Sequence, residues 1–414
     1  LSAFEWDPTG AIFFHEGVFT KSNVETPWGT RRTRDAAVWR FDPRTTRLDV
    51  VAHTGHANPW GHVFGDYGES LMADASGGDN YVFSHLAMPY VYPDKPARPA
   101  RFLNRGRPTA GCELISSRHF PDDVQETFLV NQCIGFHGTR WDRLTDEGST
   151  FTTTSMPKDM ISSTDTNFRP VAMEIGPDGT LYVVDWCNPI IGHMQYSVRD
   201  PRRDSSHGRV WRVRHAERAL VKAPDIVGAT TEQLLDLLRL PERNTRQHVR
   251  RRLQRTDPLE LFPAIVTWRA SISEADPLRD RLLLEILWLH QSHGRVDLDL
   301  VSEILACDTA PARAGAIRTL RLWLMEQVVD RTAVLPLLDR GARDDNMKVR
   351  LETVLASGYL GGYEGAALLD MVSQAPMDEP LSIVVKSVLA FIARDGEIES
   401  DLVMRFRYER MDAS

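Results

Sequence analysis

Three times along the chain an apolar run, a tight polar turn and a second apolar run follow one another. The segments are Trp6-Asp7-Pro8-Thr9-Gly10-Ala11-Ile12-Phe13, Phe64-Gly65-Asp66-Tyr67-Gly68-Glu69-Ser70-Leu71 and Ile175-Gly176-Pro177-Asp178-Gly179-Thr180-Leu181-Tyr182. Each predicts two antiparallel strands joined by a short hairpin, because Asp and Gly supply the backbone angles that such a turn needs. The turn glycines Gly10, Gly68 and Gly179 stand about 58 and then about 111 residues apart, so the second gap is roughly two periods of the first, within the range of β-propeller blades. Short alternating strands such as Ala37-Val38-Trp39-Arg40-Phe41, followed by the turn Asp42-Pro43-Arg44-Thr45, fill the intervals. Residues 1–218 are therefore expected to form propeller blades. At about 50 residues a blade they supply roughly four, fewer than a closed ring of about six to eight, so the ring is expected to be incomplete, with its first blades upstream of Leu1.

After Pro224 the period changes. Thr230-Thr231-Glu232-Gln233 reads as a capping box ahead of the amphipathic run Leu234-Leu235-Asp236-Leu237-Leu238. Helical spacing then recurs at 246–254, 259–268, 278–290, 298–305, 312–326, 334–338, 349–356, 366–372 and 381–392. Helices of this length joined by short polar links predict an α-solenoid of HEAT-like helix pairs over 229–414, with 219–228 as the linker. The segment Asp344-Asp345-Asn346-Met347-Lys348-Val349-Arg350 has the Asp-x-x-x-x-Val-Arg pattern frequent in a HEAT second helix.

Composition narrows the class. The 414 residues exceed what one core usually supports, and 42% hydrophobic content is ordinary for a globular chain. A net charge of −8 argues against a nucleic-acid partner, and no apolar run is long enough for a membrane span. The chain starts at Leu1 without an apolar signal segment, so it is expected to be the interior of a longer protein. Four cysteines, Cys112, Cys133, Cys187 and Cys307, form no CxxC or CxxCH pattern, which leaves no covalent haem site in this stretch. Cys112 and Cys133 are either a disulfide or two buried thiols.

Three segments are placed by this reading at the channel mouth: Asn58-Pro59-Trp60-Gly61-His62, Gly135-Phe136-His137-Gly138 and Asn167-Phe168-Arg169-Pro170. His62 and His137 are the candidate bases, and Asn58 and Arg169 are candidate ligand-orienting groups; packing between blades is the alternative for His62, and simple satisfaction by neighbours for His137. The densest polar group follows, with Asp185, Asn188, His193, Arg199, Arg203, Asp204, His207 and Arg209. Its functional reading is an Arg- and His-lined site for a carboxylated ligand, with Asp185 and Asp204 as candidate metal ligands. Its structural reading is an Arg–Asp ion-pair network that closes the ring or holds the helices. No Ser-His-Asp elbow, phosphate loop, dinucleotide fingerprint or His-Glu-x-x-His occurs.

The motifs Phe4-Glu5-Trp6-Asp7-Pro8, Val24-Glu25-Thr26-Pro27-Trp28-Gly29, Asn58-Pro59-Trp60-Gly61-His62, Ser116-Ser117-Arg118-His119-Phe120-Pro121 and the long block 167–212 together resemble the large bacterial proteins known as membrane-bound dehydrogenases or PVC-type haem-binding proteins. That resemblance implies a propeller related to glucose/sorbosone dehydrogenases, followed by HEAT-like helices. It also implies pyrroloquinoline quinone and calcium as cofactors, a c-type cytochrome module outside this chain, and a periplasmic or cell-surface location. In related quinoproteins the catalytic His precedes a strand like 4–13, a position upstream of Leu1. The expected function is a quinoprotein-like oxidoreductase that oxidises a sugar or alcohol and passes electrons to the cytochrome, with His62 and His137 as bases and the arginines on cofactor carboxylates. The contrasting expectation is a non-catalytic propeller–solenoid scaffold that binds a polysaccharide or a protein partner.

Overall fold

The computed structural model describes residues 1–98, 101–191, 196–197 and 199–395. Among the described residues its first half is four larger antiparallel sheets in chain order and a separate two-stranded hairpin. The first contains β1 (Ser2–Trp6), β2 (Ile12–Glu16), β5 (Ala37–Asp42) and β6 (Arg47–Ala52), with the hairpin of β3 (Lys21–Val24) and β4 (Arg31–Arg34) projecting from it. The second runs from β7 (Pro59–Phe64) through β8 (Ser70–Asp74) and β9 (Asp79–Val82) to β10 (Leu103–Asn104). The third holds β11 (Thr109–Leu114), β12 (Phe128–Gln132), β13 (Gly138–Glu147) and β14 (Thr150–Ser155), with β15 (Ile161–Ser162) on β13. The fourth is β16 (Pro170–Ile175), β17 (Leu181–Asp185) and β18 (Arg209–Val213). The first strands are neighbours: β1 packs on β7, β7 on β11 and β11 on β16.

The three repeated turns are hairpins between β1 and β2, β7 and β8, and β16 and β17. In the first, Asp7 Oδ1 accepts from the backbone N of Thr9 and of Ala11, both at 2.9 Å, and Gly10 takes φ +89°. In the last, Asp178 Oδ1 does the same for Thr180 N at 3.1 Å. An Asp at the turn start satisfies backbone donors that the hairpin leaves open.

Ten α-helices follow among the described residues: α1 (Thr231–Leu237), α2 (Arg243–Leu253), α3 (Pro258–Ser271), α4 (Arg279–Ser292), α5 (Leu298–Ile304), α6 (Ala310–Glu326), α7 (Arg331–Ala342), α8 (Met347–Leu360), α9 (Gly362–Ser373) and α10 (Glu379–Ile392). Thr230 and Gln233 form the expected capping box on α1. Helices α4, α6, α8 and α10 pack on one another in order, and α5, α7 and α9 form a second row. None is long and apolar enough to cross a membrane.

One core runs through both halves, from Phe13, Phe64 and Met72 on the sheets to Leu284, Leu320 and Leu389 on the helices. Charged contacts seal the seam. Arg243 Nε reaches Asp66 Oδ1 at 3.0 Å and Arg243 Nη2 reaches both oxygens of Glu126 at 2.8 and 2.7 Å. Arg246 also bonds Asp66, and within the helical half Arg250 Nη1 of α2 lies 2.8 Å from Glu285, a fully buried carboxylate on α4. Farther along, Arg318 donates to the carbonyl of Tyr67 at 3.1 Å, and Ser149 N donates to Asp378, the N-cap of α10, at 2.6 Å. Charges withdrawn from water persist only when paired in this way. The β7–β8 turn is pressed so closely on α4 that a Cβ at Gly68, φ +76°, would stand 3.0 Å from the Trp288 ring.

Cys112 and Cys133 are buried free thiols, which decides between the two readings of that pair. The 58–62 segment, expected at the channel mouth, is itself part of a strand: Pro59 opens β7, and His62 lies inside it. Proline is tolerated as the first residue of a strand, and here it sets the start.

Candidate functional site

The polar group of the fourth sheet is organised by Asp185, at the end of β17, whose side chain is fully buried. Strand register sets Pro170 and Arg209 opposite it on either side. Its Oδ1 accepts from the backbone N of Arg169 at 2.7 Å and of Cys187 at 2.8 Å; its Oδ2 accepts from Arg209 Nε at 2.7 Å and Trp211 Nε1 at 2.9 Å. Cys187 takes φ +53°, the left-handed turn that brings its N–H back to the carboxylate.

Arg169, 6% exposed, is spent on the backbone. Its Nε donates to the carbonyl of Asn188 at 2.9 Å, its Nη2 to that of Pro189 at 3.1 Å, and its Nη1 to that of Cys133 and to His137 Nε2, the last at 2.7 Å. Burial, reinforced by the Arg169 charge, holds the His137 pKa below its ordinary value, so the ring is a neutral acceptor. Arg209 Nη1 adds a bond to Asp165 at 3.0 Å. Asn188 Oδ1 accepts from Ile190 N at 3.1 Å, and its Nδ2 donates to the carbonyl of Asp204 at 3.3 Å. Asp204 caps its own turn, accepting from Ser206 N at 2.9 Å and lying 2.8 Å from His207 Nδ1. Arg203 donates to the carbonyls of Ser197 at 2.9 Å and Ile190 at 3.3 Å. Arg199 is exposed, and His193 lies outside the described residues.

The structure thus brings His137, Arg169, Asp185, Asn188 and Arg209 together, with Asp204 and His207 at the margin, and leaves Asn58 and His62 elsewhere. Asn58 is exposed, its N–H on Asp74 at 2.9 Å and its side chain on Ser76. His62 is 5% exposed, boxed by Phe13, Phe64 and Phe83, and its Nδ1 lies 2.7 Å from His15 Nε2. Burial, then the neighbouring His15, pushes the His62 pKa well down, and burial takes His15 to about 3. His56, fully buried beside Tyr81, has neither ring nitrogen bonded.

Asp185 does not fit a calcium ligand here. A carboxylate offers about four lone-pair positions, and four protein donors already occupy those of Asp185. Among the described residues no group of three or more His, Cys, Asp and Glu is spaced to hold a metal. For the carboxylates of a quinone Arg169 is closed, its N–H groups lying on carbonyls and His137, whereas Arg209 spends Nε on Asp185 and Nη1 on Asp165 and leaves Nη2 buried without a partner among the described residues.

Sequence reasoning missed a different feature. Glu5 on β1, Glu113 on β11 and Glu174 on β16 occupy the first strand of three sheets and interact electrostatically. Burial first, then the Glu174 charge, pushes Glu5 up to about 8; Glu113 is raised for the same reasons, and burial raises Glu174. Glu5 accepts from Trp6 N at 3.0 Å and Gln247 at 3.3 Å, and Asn244 of α2 donates to Glu174. A cavity of about 30 Å3 beside them, lined also by Arg243, has room for a water-sized group. A carboxyl held at about 8, as Glu5 is, keeps its proton at neutral pH and can donate a hydrogen bond. A signal existed: Glu5 and Glu174 each stand two residues before their hairpin turn, at Asp7 and Gly176.

A family model described as a domain of unknown function, DUF7133, matches residues 87–217, which span β10 to β18 and so the third and fourth sheets whole. No curated protein matches the chain.

Proposed function

We propose that the four sheets are consecutive blades of an incomplete β-propeller, that the two helix rows are a HEAT-like solenoid laid across it, and that the unit is a binding scaffold for a polysaccharide or protein partner. The propeller reading is supported by the order of the first strands, each touching the next, and by the unpaired faces at the ends of the row. Val184, Val210 and Trp211 are exposed on the fourth sheet and Phe4 on the first. The solenoid reading is supported by the alternation of helices between two rows.

The scaffold reading rests on one observation: the Asp185 carboxylate is taken by the backbone N of Arg169 and Cys187 and by Arg209 and Trp211, and the Arg169 guanidinium by carbonyls and His137. It favours the structural alternative in part: Arg209 pairs with Asp185 and Asp165 inside an end sheet. The resemblance to quinoprotein dehydrogenases then carries the fold and not the chemistry. The test is dye reduction by the purified chain with pyrroloquinoline quinone and calcium across a sugar and alcohol panel, run beside polysaccharide pull-down. The scaffold reading expects no reduction and retention of a polysaccharide or protein; sugar-dependent reduction would overturn it.

A further inference from the structure

Two cavities adjoin where the first sheet meets the last helices. The larger, about 440 Å3, is walled by Trp28, Arg47, Asp49, Tyr90, Tyr359 and Phe391. The smaller, about 290 Å3, is walled by Tyr90, Lys95, Lys386, Phe391 and Arg394. Pro89, Tyr90 and Phe391 line both, so the two are compartments of one groove with shared aromatic walls. We propose that this groove binds an acidic oligosaccharide, one sugar ring in the larger compartment and the anionic group of the next in the smaller. The proposal rests on the scaffold reading and names its ligand class and site.

The larger compartment is built in advance of any ligand. Arg31 grips Asp49 Oδ1 with Nε at 3.1 Å and Nη2 at 2.8 Å, and Arg47 Nε holds Asp49 Oδ2 at 2.6 Å. The other Arg47 nitrogens donate to the carbonyls of Met325 at 2.8 Å and Glu326 at 3.0 Å, the last of α6, which ends there because Gln327 turns left-handed at φ +58°. Trp28 sits on the β3–β4 hairpin, 39% exposed, with the Arg47 guanidinium 5.7 Å from its ring centre. Tyr90 is fixed by its hydroxyl, which donates to the carbonyl of Arg32 at 3.0 Å. A pyranose presents C–H groups on one face and hydroxyls around its edge, each both donor and acceptor. Trp28, the exposed ring of the wall, offers a face to the C–H groups, and Gln327 and Tyr359 add polar groups for the hydroxyls. The Arg–Asp–Arg fork, its nitrogens already on Asp49 and on carbonyls, holds this wall in place, and side chains already ordered lose little freedom on binding.

The smaller compartment carries the charge. Lys95, Lys386 and Arg394 line it with one carboxylate, Asp94, which Arg394 holds at 2.8 Å. Among the described residues that line it, three cations stand against one carboxylate on a chain of net charge −8, and this positive compartment selects an anion. An acidic peptide would use the patch but not the sugar-shaped compartment.

The test is calorimetry on the whole chain with tetragalacturonate, a sulfated chondroitin tetrasaccharide, neutral maltotetraose and polyglutamate, repeated on Trp28→Ala and on Lys95→Ala/Lys386→Ala. The carboxylated or the sulfated glycan is expected to bind, revealing which acid is preferred. Trp28→Ala should weaken it about tenfold, as loss of an aromatic anchor does, and the lysine pair should weaken it and flatten its salt dependence. Maltotetraose and polyglutamate should bind more weakly. No heat with either acidic glycan, equal affinity for polyglutamate, or affinity indifferent to both variants overturns the proposal. Polysaccharide retention that Trp28→Ala leaves intact removes this groove and keeps the scaffold; quinone-dependent activity removes the scaffold and leaves the groove's binding to stand alone.

Discussion

Arg169 and Asp185 meet twice: the backbone N of Arg169 donates to Asp185 Oδ1 at 2.7 Å, and the backbone N of Trp186, next to Asp185, donates back to the carbonyl of Arg169 at 2.9 Å. The pair closes the open end of β16 against β17, and the four donors on Asp185 make that carboxylate the pin of the fourth sheet. Asp185→Asn replaces an acceptor-only group by one whose NH2 faces existing donors. It is expected to cost about 2–4 kcal/mol in denaturant unfolding. Asp204→Asn, at a solvent-facing turn, is expected to leave the midpoint in place. Equal midpoints for the two variants contradict the assignment.

The raised Glu5 sets an alkaline limb. Its folded-state pKa, about 8, exceeds the ordinary 4.5, so the native state holds the proton more tightly and stability is lost as pH rises through that window. The slope from one such group is about 1.4 kcal/mol per pH unit up to about pH 7 and falls to about half of that at pH 8. Glu5→Gln should remove that contribution, which urea unfolding at pH 6.5 and 8 measures directly.

The buried histidines set the acid limb with the opposite sign. His15, at about 3, and His85, at about 4, along with His62, titrate in the folded chain far below the ordinary 6.5. The unfolded chain therefore binds more protons, and stability present above pH 6.5 is lost as pH falls toward 4. The groups facing His62 are His15 and three phenylalanines, with no carboxylate among them to retain the charge. His62→Gln keeps a partner for His15 without titrating, and should flatten the decline between pH 6.5 and 5.

Gly68→Ala is expected to destabilise by about 1–3 kcal/mol, since it places a side chain at φ +76° and within 3.0 Å of Trp288. Trp288→Leu in the same chain should recover part of that loss if the contact with α4 is the cause, as thermal unfolding of the single and double variants would reveal.

Much of the fold could be read from the residues because local chemistry decides it. The three Asp/Gly turns are the β1–β2, β7–β8 and β16–β17 hairpins, and the capping box at Thr230 starts α1. The helical spacing at 312–326 lies within α6, and the short signal at 334–338 marks the centre of α7. The site was harder to read. His62 stood beside Trp60 and Asn58 in sequence, yet strand alternation turns it into the Phe13, Phe64 and Phe83 box. The sequence sets Arg209 in one group with Asp185 and Arg169 in another with His137, and what joins the two groups is where β16 and β18 end relative to β17, which only pairing register fixes. Glu5 and Glu174 share a place two residues before their turns, but Glu113 has no such mark, and nothing local brings the three first strands together.

The central claim is that the Asp185 cluster holds the protein together and does not hold a cofactor. Equilibrium dialysis of pyrroloquinoline quinone with calcium against the wild-type chain and Asp185→Asn tests it most directly. The account predicts no retained quinone in either chamber and a lowered unfolding midpoint in the variant alone. Stoichiometric quinone in the wild-type chamber, lost on the Asp185 substitution without a change in stability, would contradict it.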